Sequence, residues 1–279
     1  MTVTSLQPMI TDAQNSLASL YSWTLERDDS GPFRVYKDDE GQEYHSVTHI
    51  LKNTAPEEQK ASLARWSARP GSEVERQLAC DRGTVVHESC EYVLKTASKL
   101  VRNSANARNT WRVYGDGLAR APKSVVSWAL KKAIQGAPEV PWAAREHARG
   151  LSGWLGSGAV TAIHASEFSV FHTDGWAGTA DALIDTEYGL TICDFKTTGR
   201  DKDKPEKFMR DHQDQLAAYS LAMKQRSGIV VDAGAVVIAK GNGEVQLRML
   251  SELEMRGAEC RWLERHDKYK AMLELGEVC

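Results

Sequence analysis

The sequence predicts an α/β fold in which a helical first half leads into a sheet-based core. Three observations predict it. Apolar residues recur at helical spacing through Trp154, then alternate from Thr161 onward. The turn signals HTDG and TEYG divide the alternating region into three runs. A continuous apolar stretch, Gly228 to Ala239, then reads as a buried strand.

The elements follow in order. Ala13 to Leu25 has helical spacing, and the acidic, turn-rich Asp28–Gln42 reads as a hairpin or loop. Pro56 opens PEEQKASLARWSAR with acids directly behind it, a good helix start. Ser72 with Glu75 resembles a capping box, beginning a helix through Lys95. Ser104–Asn109 reads as a loop, and Lys123–Gln135 and Trp142–Trp154 as further helices. Ile163–Phe171, Trp176–Asp185 and Leu190–Lys196 then form an antiparallel meander. A charged loop, GRDKDKPEK, precedes a helix from Arg210 to Gln225. After the buried strand, a GNGE turn leads to Val245–Leu250, and a last amphipathic helix runs from Ser251 to near Leu273.

Composition excludes several classes. The 279 residues carry a net charge of −3 and five cysteines with no CxxC pair. That argues for a reducing compartment and against a disulfide framework, a zinc ribbon or an iron–sulfur cluster. No apolar run would span a bilayer, and no signal or transit peptide is evident, so a cytoplasmic protein without membrane attachment is expected. One segment is strongly basic: Lys95, Lys99, Arg102, Arg108, Arg112, Arg120, Lys123, Lys131 and Lys132 face the single acid Asp116. Trp111, Tyr114 and Trp128 are interleaved with them, which suits either base stacking along a phosphate backbone or a solvated helical surface pinned by aromatics.

Four pieces carry chemistry: GTVVHESCE (Gly83–Glu91), GTAD ending at Asp181, DFK (Asp194–Lys196) and QLAAY (Gln215–Tyr219). HESCE falls short of a zinc protease's HExxH, because Glu91 stands where the second histidine is needed. Strand residues two apart share a face, so Asp194 and Lys196 project together while Cys193 and Phe195 point away. The TEYG turn brings Asp181 and Asp194 onto adjacent strands. Two carboxylates at close range repel unless a cation joins them, and oxygen donors suit Mg²⁺ or Mn²⁺. Acid, acid, lysine and one or two such ions make a phosphodiester hydrolysis site.

In this order the motifs resemble the PD-(D/E)XK nucleases, in the RecB-like branch where a helix histidine precedes the acidic strands and QxxxY follows them. YHSVTHIL (Tyr44–Leu51), SLARW (Ser62–Trp66) and GTVVHE look like the mitochondrial genome maintenance exonuclease group with its bacterial and phage relatives. The resemblance implies a restriction-endonuclease-like core, a central mixed sheet flanked by helices, behind an N-terminal helical region. It divides the chain into residues 1–70, a helical and hairpin region guiding DNA, and 71–279, the nuclease core with a helical insertion at about 97–157. It makes His87, Asp181, Asp194 and the Phe195 carbonyl metal ligands, with Lys196 activating water beside Asp181 and Asp194. Gln215 and Tyr219 would contact DNA near the scissile phosphate, and Ser46, Thr48, Arg65 and Trp66 would guide the strand. Glu91 and Glu167 are lesser candidates for a second metal or an outer shell.

The expected function is a metal-dependent exodeoxyribonuclease acting on single-stranded ends or flaps. Its alternatives are a recombination exonuclease resecting duplex ends and an inert nucleic-acid-binding module. No GxxxxGK[ST] motif is present, so strand separation would come from a partner such as a helicase; a polymerase or annealing protein is a further candidate.

Overall fold

The computed structural model describes residues 25–31, 33–108, 110–113 and 118–278. The expected helix over Ala13 to Leu25 lies almost wholly outside them, as do Tyr114 and Asp116.

The acidic N-terminal stretch forms a hairpin of β1 (Glu26–Asp28) and β2 (Val35–Lys37), extended by β3 (Glu43–Ser46). Ser46 caps α1 (Val47–Asn53), its hydroxyl accepting the His49 N–H at 3.1 Å. α2 (Glu57–Ser67) follows Pro56 directly and buries none of its residues.

α3 (Ser72–Arg108) is a single helix about 55 Å long, and two expectations change on it. The chain does not leave the helix at Lys95, and Ser104–Arg108 is not a loop. Val93, Ala97, Val101 and Ala105 continue the buried stripe begun at Val86 and Cys90, so packing carries the helix through the weak formers Asn103 and Ser104. Ser72 and Glu75 are not a capping box either. The Ser72 hydroxyl donates to the Ser67 carbonyl at 2.7 Å, and Glu75 pairs with Arg69 at 3.2 Å. A capping box forms instead at Ser251 and Glu254, worth about 1 kcal/mol to the last helix.

A short pair, β4 (Arg112–Val113) and β5 (Ala119–Arg120), precedes α4 (Lys123–Gln135) and α5 (Trp142–Gly156). The meander is β6 (Ala162–His172), β7 (Trp176–Thr186) and β8 (Gly189–Thr198), followed by α6 (Arg210–Ser227). β9 (Ala233–Lys240), β10 (Val245–Leu250) and α7 (Glu252–Glu274) complete the chain. β9 begins later than the apolar run. Gly228, at φ 72°, closes α6, and the Asp232 carboxylate accepts the Leu190 N–H at 2.8 Å as the chain enters the sheet.

Among the described residues, eight strands make one mixed sheet in the order β1-β2-β3-β7-β8-β9-β10, with β6 along the other edge of β7. α1, α6 and α7 cover one face around Trp176, Leu216 and Trp262. α3, α4 and α5 cover the other around Val86, Leu130, Leu151 and Phe195. The expected class, a central mixed sheet between helices, is the one observed. Among the described residues no helix is long and apolar enough to cross a membrane.

One buried charge network ties the inserted helices to this sheet. A register shift between Ile163 and Ala165 sets His164 in a bulge, where its Nε2 lies 2.9 Å from Asp185 Oδ1. Arg120, from the basic segment, donates to both Asp185 oxygens. Burial alone would raise the Asp185 pKa, but His164 and Arg120 outweigh it and hold the carboxyl at about 2. A depressed carboxylate pKa adds stability above the usual carboxylate range, lost as pH falls toward 2. Asp185→Asn should therefore cost about 3 kcal/mol in urea unfolding at neutral pH, and much less below pH about 3.

Candidate active site

β7 has two partners in succession on one edge. β3 pairs with it in parallel at Trp176 and Ala177, and β8 pairs antiparallel from Ala182 to Thr186. Between them, Gly178 to Asp181 have no strand partner on that side among the described residues. β8 likewise leaves β7 after Cys193, and its residues Asp194–Thr198 pair only with β9. The GTAD and DFK motifs thus flank a notch where two strands diverge.

Asp194 and Lys196 share the face toward α6, while Cys193 and Phe195 enter the opposite core, as the alternation predicts. Lys196 Nζ donates to Asp194 Oδ1 at 2.5 Å, and Gln215 Nε2 donates to the same oxygen at 2.8 Å. Asp194 is 1% exposed, and its Oδ2 is buried with no hydrogen-bond partner among the described residues; His212 Nδ1 is 3.7 Å away. Asp181 closes the gap between the strands: its Oδ2 accepts the Phe195 N–H at 2.5 Å, and its Oδ1 lies 3.5 Å from His87 Nδ1. Glu167 Oε1 lies 3.8 Å from the same nitrogen.

The three donors of His87, Glu167 and Asp181 all fall within 4.8 Å of one another. Glu167, a lesser candidate for a second metal or an outer shell, stands inside this trio, and Asp194 stands beside it. The strand register explains why: Ser166 faces Ala182 and Phe168 faces Ala180, which sets Glu167 opposite Asp181. Glu167 also has φ 48°, a left-handed conformation that a side chain-bearing residue adopts at a cost of about 1–3 kcal/mol. Glu91, one turn beyond His87, pairs with Lys95 instead.

The electrostatics are those of crowded anions. Burial raises the Asp194 pKa and Asp181 adds to it, outweighing Lys196, so the carboxyl rises to about 6. Burial would lower His87, yet the Asp181 and Glu167 carboxylates outweigh it and raise the imidazole to about 10. Burial raises Glu167 as well. Here a proton on His87 and the ammonium of Lys196 balance the carboxylates. An imidazole and three carboxylates, one of them with a buried oxygen that has no partner among the described residues, are a donor set that fits a divalent cation, which His87, Glu167, Asp181 and Asp194 would hold.

The QxxxY pair packs under the notch. Tyr219 is buried, and a Cβ on Gly178 would meet its ring at 2.4 Å, which explains the glycine of GTAD. Gln215 holds Asp194 and also lines the cleft beside it. Ser46 is buried as a cap, whereas Thr48 lines a cleft of about 790 Å³ that reaches Lys196, His212 and Gln215. Arg65 is exposed and borders a neighbouring cleft of about 460 Å³; Trp66 is half-buried beside Arg69. In the basic segment, Lys99, Arg102 and Arg108 are exposed on α3, with Lys99 about 18 Å along the helix from His87. Trp111 packs against the core, and Trp128 is exposed.

His212 and Lys204 were missed. His212 precedes Gln215 by three residues and Tyr219 by seven, one helical stripe, and that spacing was the available signal.

Comparison with known proteins places this geometry. No curated protein matches the chain. Among solved structures, one named SSO0001 is 20% identical over 34% of this chain and 46% of that one, under half its length, with a TM-score of 0.23. A crystal structure from Eubacterium rectale, provisionally described as an exonuclease, is 13% identical over 85% of this chain and 83% of that one, with a TM-score of 0.42. The family model of the PD-(D/E)XK nuclease superfamily matches residues 58–271. That span takes in His87, both acidic strands, Lys196 and the QxxxY helix, and the chain belongs to the PD-(D/E)XK nuclease superfamily.

Proposed function

We propose that the chain is a divalent-metal-dependent exodeoxyribonuclease of the RecB-like branch, acting on single-stranded ends or flaps. Nucleases of this superfamily generally use divalent metal ions. The observation that carries the reading is the state of Asp194: one oxygen is held by Lys196 and Gln215, and the other is buried without a partner among the described residues, behind the cleft that Lys196, His212 and Gln215 line. Such an oxygen is costly to bury unless a cation or substrate group completes it. When bound, Mg²⁺ or Mn²⁺ supplies Lewis acidity at the phosphoryl group and a more acidic water.

The chain's own residues do the rest. The Phe195 N–H fixes Asp181, and Gln215 fixes Asp194, so both carboxylates are set before substrate arrives. Lys196, an ammonium at the mouth of the notch, orients the attacking water and offsets charge on the phosphoryl oxygens. The cleft beside it has apolar walls at Leu51, Ala55, Leu63 and Met272, with Lys52 and Lys60 among them. Unpaired bases can lie against such walls while lysines meet phosphates. Guidance of the strand falls to Thr48, Arg65 and Trp66 within residues 1–70.

An end-labelled ladder tests this. Linear single strands, blocked at either terminus, should be shortened from the free end in Mg²⁺ or Mn²⁺, and a single-stranded circle should survive. Cutting of the circle at the linear rate would overturn end dependence. Faster loss of a blunt duplex would favour resection, and binding without products in either metal would make the module inert.

A further inference from the structure

We propose that Arg82 and Lys204 form a two-sided phosphate cradle, gripping the phosphodiesters on either side of the one that Lys196 faces; this rests on the nuclease reading. Arg82 approaches from α3, on one face of β8. Its Nε is buried and has no hydrogen-bond partner, and Arg82 forms no ion pair among the described residues. Its terminal nitrogens lie 3.8 and 3.9 Å from the point where a Cβ on Gly199 would sit, so the guanidinium rests against the end of β8 just beyond Lys196. The adjoining glycine, Gly83, is packed the same way: a Cβ there would lie 3.9 Å from Thr197 Oγ1.

Lys204 approaches from the loop between β8 and α6, on the opposite face. Gln246 clamps its backbone twice: Lys204 N–H donates to Oε1 at 2.7 Å, and Nε2 donates to the Lys204 carbonyl at 2.9 Å. The ammonium donates to His212 Nε2 at 2.8 Å. That leaves the ring proton on Nδ1, which faces the unpartnered Asp194 Oδ2 at 3.7 Å. Lys204 is half-buried, and it too has no carboxylate within ion-pair distance among the described residues.

A partly desolvated cation held in place without an anion is unfavourable in the free protein. Two of them flank one catalytic lysine on opposite faces of one strand. A single phosphate could satisfy only one side. A polyanion with a charge at every nucleotide satisfies both, and a guanidinium and an ammonium are the two side chains suited to phosphate.

Binding of a labelled single strand, followed by fluorescence anisotropy across a range of salt in EDTA so that nothing is cleaved, reads the cradle directly. Arg82→Met and Lys204→Met should each flatten the slope of log affinity against log salt by about 0.7, and the double variant by about 1.4. Each should weaken binding about tenfold. Arg82→Lys and Lys204→Arg should keep the wild-type slope, and melting curves check that every variant is folded. A folded Met variant that retains the wild-type slope, while wild type binds and cleaves the strand, overturns the cradle alone. A wild-type protein that does not bind the strand in EDTA overturns the cradle, and one that in addition releases no product in Mg²⁺ or Mn²⁺ overturns the nuclease reading with it.

Discussion

Lys196→Ala should lower cleavage of a linear single strand by about 10³-fold, the loss seen when one preorganised donor is removed from a charged transition state. The cause is local. Burial works against the ammonium, but Asp194 and Asp181 outweigh it and raise its pKa, so the group is charged throughout the neutral range. Truncation leaves Gln215 on Asp194 Oδ1, so the carboxylate stays oriented. The Asp194 carboxyl then gains a proton more readily at neutral pH, which spares the fold an uncompensated buried charge. A cooperative melt and strand binding should therefore persist while product formation disappears. Lys196→Arg should not restore the rate, because a planar fork cannot occupy the position of a compact ammonium beside Asp194 and a phosphoryl oxygen at once. Wild-type turnover by either variant, measured as single-turnover decay of an end-labelled strand, would remove Lys196 from the chemistry.

Most of this frame was legible in the sequence, because strand side chains alternate between the two faces of the sheet and turn signals bound each run. β6, β7 and β8 fall within two residues of the runs set off by HTDG and TEYG, and β10 matches its run. The DFK alternation fixed which side chains meet, since a one-residue slip would have turned Asp194 into the core. What could not be read was decided by tertiary packing. α3 outruns its propensity signals because α4 lies along its stripe, and Ser72 spends its hydroxyl on Ser67 rather than on the helix start.

The site shows the same division. His87, Asp181, Asp194 and Lys196 sit in motifs whose order brings them to one place. Glu167 is a lesser candidate in the sequence, and its register opposite Asp181, with its left-handed backbone, sets it among the donors. Gln215 and Tyr219 stand at the site: the first holds a carboxylate and the second fills the space above Gly178. Lys204 belongs to a charged loop that reads as solvent-facing until Gln246, far along the chain, pins it.

Asp194→Asn should abolish cleavage and divalent-ion binding while making the protein more stable. The carboxylate is almost fully buried, one oxygen lacks a partner, and its pKa rises from 3.8 to about 6. A carboxyl raised in the folded state favours folding fully below its unfolded value of 3.8, and that contribution is lost as pH rises through about 6. At pH 8 the ionised group therefore strains the fold, and a neutral amide of the same shape relieves it while still accepting from Lys196 and Gln215. Lys196 loses its closest counter-charge, which takes back part of the gain. The net should be about 1–3 kcal/mol of added stability at pH 8, shrinking toward zero near pH 4. Calorimetric titration with Mn²⁺ would show the loss of binding, and urea melts at the two pH values would show the gain. A variant that is less stable than wild type at pH 8 would mean that Asp194 is a structural carboxylate. One that still binds the ion would take it out of the donor set. Opposite signs for stability and activity at a single position are what a cation-binding carboxylate in a dry notch predicts and what a merely structural one does not.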